Sequence, residues 1–339
     1  LPICRFADLL ICRFADGECR MKNNDLQFAI CNLHFDAVRN ASQVGLVVPA
    51  FNVPYLPMVE PVIRAVVDQD CFALIETARL EWTKFESLGP AACLEEFVKW
   101  QQPDYVRLHL DHVPVIDEDN CRVDYLSIIR QALDLGYQSV MVDGSRLDLE
   151  ANIAATRQVV ELAHAAGVPC EAELGAVLGH EAGPLPPYEE LFRSGLGFTG
   201  VEEAARFVRE TGCDWLSVAI GNIHGAVSGA VKDQKKVAAR LDLDHLDSLR
   251  QATGIPLVLH GGSGVRREYL LAAIQKGIAK VNVGTEIRQA YESALRESGS
   301  VTAAQDAVYE RTGWLIRDYF GLSGTRKIIW TRMNADERG

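Results

Sequence analysis

Ser139-Val-Met-Val142, Glu150 to Ala166, Gly167 and Pro169-Cys-Glu-Ala-Glu-Leu174 decide the fold. The first run is almost wholly apolar, as a strand buried on both faces requires. Glu150 to Ala166 has helical period, with Ile153, Val159, Val160, Leu162 and Ala163 on one stripe. Gly167 stops that helix, and Pro169 opens the next apolar run. The unit is strand, loop, helix, glycine, strand. Toward the N-terminus it continues in Gly45-Leu-Val-Val-Pro-Ala-Phe51, Phe72-Ala-Leu-Ile75 and Tyr105-Val-Arg-Leu-His-Leu110. Toward the C-terminus it continues in Trp215-Leu-Ser-Val-Ala-Ile220, Ile255-Pro-Leu-Val-Leu259 and Ala279-Lys-Val-Asn-Val283. The helical stretches Val201 to Thr211, Leu243 to Thr253 and Arg266 to Lys276 end at Gly212, Gly254 and Gly277. Eight such runs within ~250 residues predict an α/β fold, a TIM (β/α)8 barrel. An open doubly wound sheet would carry a glycine-rich fingerprint after its first strand, and none follows Phe51.

A chain of 339 residues suits one such barrel. The expected division is an N-terminal extension over 1–40, a barrel over 41–320 and a tail over 321–339. In the extension, Ile3-Cys-Arg-Phe-Ala-Asp8 recurs as Ile11-Cys-Arg-Phe-Ala-Asp16, far below the length of a solenoid unit, and no function attaches to it. Thr302 to Phe320 has helical period and is expected to cap the barrel or join a subunit contact. Lys and Arg number 34 against 46 Asp and Glu, a net charge of -12. That balance argues against a nucleic-acid partner. A phosphate ligand must then be held by backbone N–H groups, a helix N-terminus or a cation. No run of ~18 apolar residues offers a membrane span. Arg5, Asp8, Arg13 and Asp16 interrupt any signal-peptide core. The nine Cys include no Cys-x-x-Cys pair and read as free thiols of a reducing compartment, so a cytoplasmic protein is expected.

In such a barrel the chemistry gathers at the C-terminal ends of the strands. Those ends carry Asn52, Glu76 and Thr77, Asp111 and His112, Asp143 and Ser145, Glu171 and Glu173, Asn222 and His224, His260 to Ser263, and Asn282 to Thr285. Imidazoles converging from three strands fit a catalytic zinc site with three protein ligands and one open position. Strict alternation puts His109 and Asp111 on one side of the third strand and His112 on the other. His112 reaches the mouth only where the strand loses regularity, so spacing leaves both His109 and His112 open as ligand. The segment Leu259-His-Gly-Gly-Ser-Gly-Val265 follows the seventh run and precedes a helix. Its glycines allow the backbone close to an anion, and loops after strands seven and eight commonly hold phosphate.

These blocks resemble the zinc-dependent (class II) ketose-bisphosphate aldolases, the fructose- and tagatose-1,6-bisphosphate enzymes. The resemblance covers about 44–297. It rests on Pro49-Ala-Phe-Asn-Val53, Leu108-His-Leu-Asp-His112, Ser139-Val-Met-Val-Asp-Gly-Ser145 and Glu171-Ala-Glu-Leu-Gly175. It continues in Ala219-Ile-Gly-Asn-Ile-His-Gly225, Pro256-Leu-Val-Leu-His-Gly-Gly-Ser-Gly264 and Lys280-Val-Asn-Val-Gly-Thr-Glu286. It implies His112, His224 and His260 as zinc ligands, with His109 structural. It implies Asp111 as the acid/base at the C4 hydroxyl and Glu181 as the base at C1 of dihydroxyacetone phosphate. Asp143 and Glu173 would form a secondary metal site. Asn52, Asn282 and Thr285 would contact the ketose phosphate. Gly225, Gly261, Gly262 and Ser263 would cradle a phosphate, where the family often also holds a monovalent cation (Na+ or K+). The implied partners are a phosphorylated ketose and dihydroxyacetone phosphate, with a homodimer or homotetramer as the assembly.

The chain departs from the family pattern in places. His180 and Ala182 flank Glu181, Arg146 follows Asp-Gly-Ser where a His is frequent, and strand two ends Ile-Glu-Thr-Ala in place of a Gln- and Ser-bearing end. Gly284 stands where fructose-bisphosphate enzymes carry Asp and the tagatose branch a small residue. Ser228 stands where the fructose branch often has Lys, and Ser228 to Arg240, with Lys232, Lys235 and Lys236, reads as a modified loop. The competing readings are an aldolase on a ketose monophosphate and a non-catalytic accessory or assembly barrel. A Schiff-base aldolase needs a Lys at a strand C-terminal end. None is there, and Lys280 is expected at the start of strand eight, near the wrong face.

Overall fold

The computed structural model describes residues 36–175, 188–222 and 239–331. The duplicated Ile-Cys-Arg-Phe-Ala-Asp segment therefore lies outside the described residues. Eight parallel strands close into one barrel in sequence order: β1 Val48–Asn52, β2 Ala73–Ala78, β3 Val106–Pro114, β4 Ser139–Asp143, β5 Cys170–Leu174, β6 Trp215–Val218, β7 Leu257–Leu259 and β8 Ile278–Val283. Ring closure is the pairing of β1 with β8, Ala50 opposite Asn282.

Every apolar run read from the sequence supplies one of these strands. The outward-facing residues explain why. Leu108 and Leu110, Val140 and Val142, Val281 and Val283 are buried under the surrounding helices. Parallel strands bury both faces in this way, which makes their sequences nearly continuous in Val, Ile and Leu. The helices Val201–Thr211 and Leu243–Thr253 end where expected, on Gly212 and Gly254 at φ +71° and +67°. Only glycine adopts that left-handed turn without steric cost. Leu149–Ala165, seventeen residues long, is capped by Asp148, whose side chain accepts from the Ala151 N–H.

Two features lie outside the simple repeat. The helix Ala37–Gln43 starts at Asp36, whose carboxylate accepts from the Arg39 N–H and from the indole Nε1 of Trp215 at 3.1 Å. Beyond β8, helices Thr285–Ser298 and Val301–Trp314 pack together, and the second also packs on Val59–Asp68. Thr302 to Phe320 is thus helical as read, but its last turn, Leu315–Phe320, widens to a π-helix. No helix among the described residues is long and apolar enough to cross a membrane.

Candidate active site

Asp111 sits at the mouth of the barrel between two amides. Asn52 Nδ2, from the end of β1, donates to its Oδ2 at 2.8 Å, and Asn282 Nδ2, from β8, donates to its Oδ1 at 3.0 Å. Burial alone would favour the neutral acid. The positive charges of His112, Lys280 and His260 outweigh it and hold the carboxyl well below the usual carboxylate range.

His112 follows at once, and the sequence places it on the wrong side of a regular strand. The strand is irregular there: the register of β3 against β4 shifts between Leu110 and Val113, and His112 adopts φ +33°. A left-handed backbone at a non-glycine residue costs of order 1–3 kcal/mol and gathers at functional sites. Here it turns His112 into the mouth, where its Nδ1 lies 3.2 Å from Asp143 Oδ2 and its ring meets that of His260 edge to face at 4.4 Å. Burial works against protonation of His112, but Asp111 and Asp143 outweigh it and push its pKa upward.

His260 extends the mouth from the end of β7. Its Nε2 lies 2.8 Å from Glu171 Oε1 and its Nδ1 3.3 Å from Glu173 Oε2. Glu171 is fully buried, which opposes ionisation. The charges of Lys280 and His260 prevail and push it down to about 2, so Glu171 is the acceptor and His260 Nε2 the donor. Ser217 Oγ donates to Glu173 at 3.2 Å. Asn222 ties the tips of two strands, its Nδ2 donating to the His260 carbonyl at 3.1 Å.

The donor atoms of Asp111, His112 and His260 lie within 4.8 Å of one another, as do those of His112, Asp143 and Glu173. Two imidazoles with carboxylates suit zinc. Each imidazole also has a carboxylate on a ring nitrogen, the usual device for orienting a metal-ligating His. The donor set therefore fits the metal. A further group, Glu76, His109 and Asp111, is equally compact. There the cation is already present: Lys280 Nζ lies 2.7 Å from Glu76 Oε1.

Lys280 is the third residue of β8, near the start of the strand as read, and its side chain turns into the barrel. It is fully buried inside, one layer beneath the mouth, in contact with Glu76, Glu171 and Asn282. His109 lies in the same layer, its Nδ1 2.7 Å from Ser139 Oγ. Burial and the Lys280 charge push its pKa down to about 3, so its imidazole is neutral. The signal for this layer was legible: Glu171 and Glu173, Lys280 and Asn282, His109 and Asp111 are i, i+2 pairs of polar residues inside otherwise apolar runs.

After β7 the chain turns through Gly261, at φ +70°, into one short turn, Gly262–Gly264, that contains Ser263. Tyr319 donates its hydroxyl to carbonyls of this loop, those of Val265 and Gly262. Thr285 opens the helix after β8, behind Gly284. The structure thus brings together Asn52, Asp111, His112, Asp143, Glu173, His260, Asn282 and the β7 loop. Glu181, His224 and Gly225 lie outside the described residues, as do Ser228 and the lysines of its loop.

The family model of class-II fructose-bisphosphate aldolase matches residues 34–322. The chain belongs to that family. It is therefore an aldolase, a carbon–carbon lyase, of a family characterised by metal dependence. The fructose-bisphosphate aldolase of Streptococcus pneumoniae is 35% identical over 279 residues, covering 81% of this chain and 85% of that protein. That of Streptococcus pyogenes is 35% identical over 280 residues, with 80% and 85% covered. Among solved structures, the YdjI aldolase of Escherichia coli K12 superposes with a TM-score of 0.66 at 29% identity, covering 85% of this chain and 96% of that one. The fructose-bisphosphate aldolase of Campylobacter jejuni, at 18% identity and a TM-score of 0.63, shares the barrel fold.

Proposed function

We propose that this class-II aldolase is zinc-dependent and cleaves a phosphorylated ketose, of the fructose- or tagatose-1,6-bisphosphate type, to dihydroxyacetone phosphate and an aldehyde. The observation that carries the reading is the setting of Asp111: an ionised carboxylate clamped by Asn52 and Asn282 and in one compact donor group with His112 and His260.

The chemistry follows from that setting. The C3–C4 bond breaks, its electron pair moves toward the C2 ketone, and the C4 hydroxyl proton passes to Asp111 as the aldehyde forms. An ionised base at hydrogen-bond distance is suited to accept that proton. His112, His260 and His224 would hold the zinc, which supplies Lewis-acid stabilisation of the charge on the ketone oxygen. Glu181 would return a proton to the carbon left behind. The turn from Gly261 to Gly264, with Thr285 at its helix N-terminus, would anchor phosphate and fix the reacting carbons. Asp143 and Glu173 would serve a second metal position, and Gly225 with the β7 loop a monovalent cation. A cytoplasmic homo-oligomer is part of the same reading.

The test is cleavage of fructose-1,6-bisphosphate and tagatose-1,6-bisphosphate, side by side, by zinc-loaded and chelator-treated protein. Chelator-sensitive cleavage of either supports the reading. Stoichiometric zinc with neither sugar cleaved moves the substrate elsewhere, first to a ketose monophosphate. No zinc and no turnover would leave an accessory barrel.

A further inference from the structure

The aldolase chemistry leaves the buried charge of Lys280 unused. Its Nζ lies 2.7 Å from Glu76 Oε1, 2.8 Å from Glu171 Oε2 and 2.7 Å from Asn282 Oδ1. An ammonium has three protons, and three acceptors surround this one. Two of those acceptors pass the contact on to the mouth. With its oxygen taken by Lys280, Asn282 must present its Nδ2 to Asp111, which it does at 3.0 Å. The flipped amide would set an oxygen against a carboxylate. Glu171 gives Oε2 to Lys280 and Oε1 to His260 Nε2, which fixes the ring with Nδ1 turned toward Glu173.

We propose that Lys280 is a positioning residue for the aldol reaction, one ammonium orienting both Asp111, through Asn282, and the metal ligand His260, through Glu171. The proposal rests on the roles given above to Asp111 and His260. It differs from simple charge balance in a way that can be tested. Above about pH 8, where Glu76 is ionised, charge balance is restored when Glu76 is neutralised together with Lys280, whereas orientation is not.

The experiment compares, above about pH 8, wild type, Lys280→Met and the double variant Lys280→Met/Glu76→Gln, each checked for folding by circular dichroism. Zinc affinity is measured by competition with a chromophoric chelator, and ligand geometry by the visible bands of the cobalt(II)-loaded proteins. Loss of a partner behind a metal ligand typically weakens affinity or activity about ten- to a hundred-fold. Both variants are expected to bind zinc that much more weakly, to shift the cobalt bands and, at saturating zinc, to lose kcat about tenfold or more at nearly constant KM. Adding Asn282→Ala to Lys280→Met should cost less than in wild type, because the same arm is already broken. If the single variant fails to fold, the charge-balanced double variant decides. A double variant with wild-type zinc affinity, cobalt spectrum and kcat overturns the proposal. Weakened zinc with unchanged kcat at saturation overturns the Asp111 arm. If wild type cleaves neither bisphosphate while the metal readouts still respond, the substrate reading falls and the His260 arm stands.

Discussion

At the scale of single residues, the mouth is a set of groups held in chosen protonation states by their neighbours. Asp111 is kept ionised and singly oriented. Asp111→Asn should retain zinc and lose about 10²–10⁴ in kcat, the usual worth of a positioned proton-transfer group. Wild-type turnover in that variant would remove Asp111 from the chemistry. Glu76 is the opposite case. Burial, and then the charge of Asp111, push its carboxyl up to about 8. The folded protein therefore keeps a proton that an unfolded Glu loses at about 4.3. Between those values the native state binds more protons than the unfolded chain, so this contribution to stability falls as pH rises. Glu76→Gln, permanently neutral, should flatten the decline of Tm between roughly pH 5 and 8. Parallel curves for the metal-free wild type and variant would show that Glu76 ionises normally.

At the scale of elements, two local irregularities build the site. The register shift in β3 places Asp111 and His112, neighbours in sequence, on the same mouth. The turn after β7 is fitted closely to β8. A Cβ added at Gly262 would lie 2.2 Å from Val281 Cγ1. Gly262→Ala must displace the turn or the strand, and overpacking of this kind costs about 1–3 kcal/mol. Because the same turn is the proposed phosphate cradle, the variant should raise KM for a bisphosphate about tenfold, the equivalent of ~1.4 kcal/mol, with a smaller change in kcat. An unchanged KM would place the phosphate elsewhere.

At the scale of the whole molecule, the candidate site and a stabilising helix contact occupy opposite ends of the barrel. The C-terminal helix Arg326–Thr331 is fastened to the loops that lead into β2 and β3. Arg326 Nε lies 2.8 Å from Asp70 Oδ1, Trp330 Nε1 donates to the Asp104 carbonyl at 2.7 Å, and Ile329 is buried. Residues at the N-terminal face of such barrels serve stability. Ile329→Ala should cost about 2–5 kcal/mol and lower Tm accordingly, with kcat and KM unchanged. The proposed zinc should act globally too: a metal that binds only the folded state adds about 4 kcal/mol at a thousandfold excess over Kd. Calorimetry of chelated and zinc-loaded protein reads this as a rise in Tm, and the absence of one would speak against a metal centre.

The barrel was legible in the chain because a doubly buried parallel strand has a one-dimensional signature, an apolar run, and a glycine marks where each helix must stop. The residue types at the strand tips were legible for the same reason: β-strand alternation puts i and i+2 on one face, so the polar residues of the mouth show against an apolar background. Whether His109 or His112 faces the mouth was not legible. That depends on the broken register of β3 and a left-handed φ, which β3 and β4 set together and no local pattern encodes. Nor were the partners of Lys280 legible, since Glu76 and Glu171 come from β2 and β5, far away in sequence. The sequence by itself determined the eight-fold alternation and the chemical types at the strand ends, because both follow from local periodicity. Only the tertiary structure decided which of those groups meet and which charges they bear, because closing the barrel brings distant strands together and removes the water that would otherwise screen them.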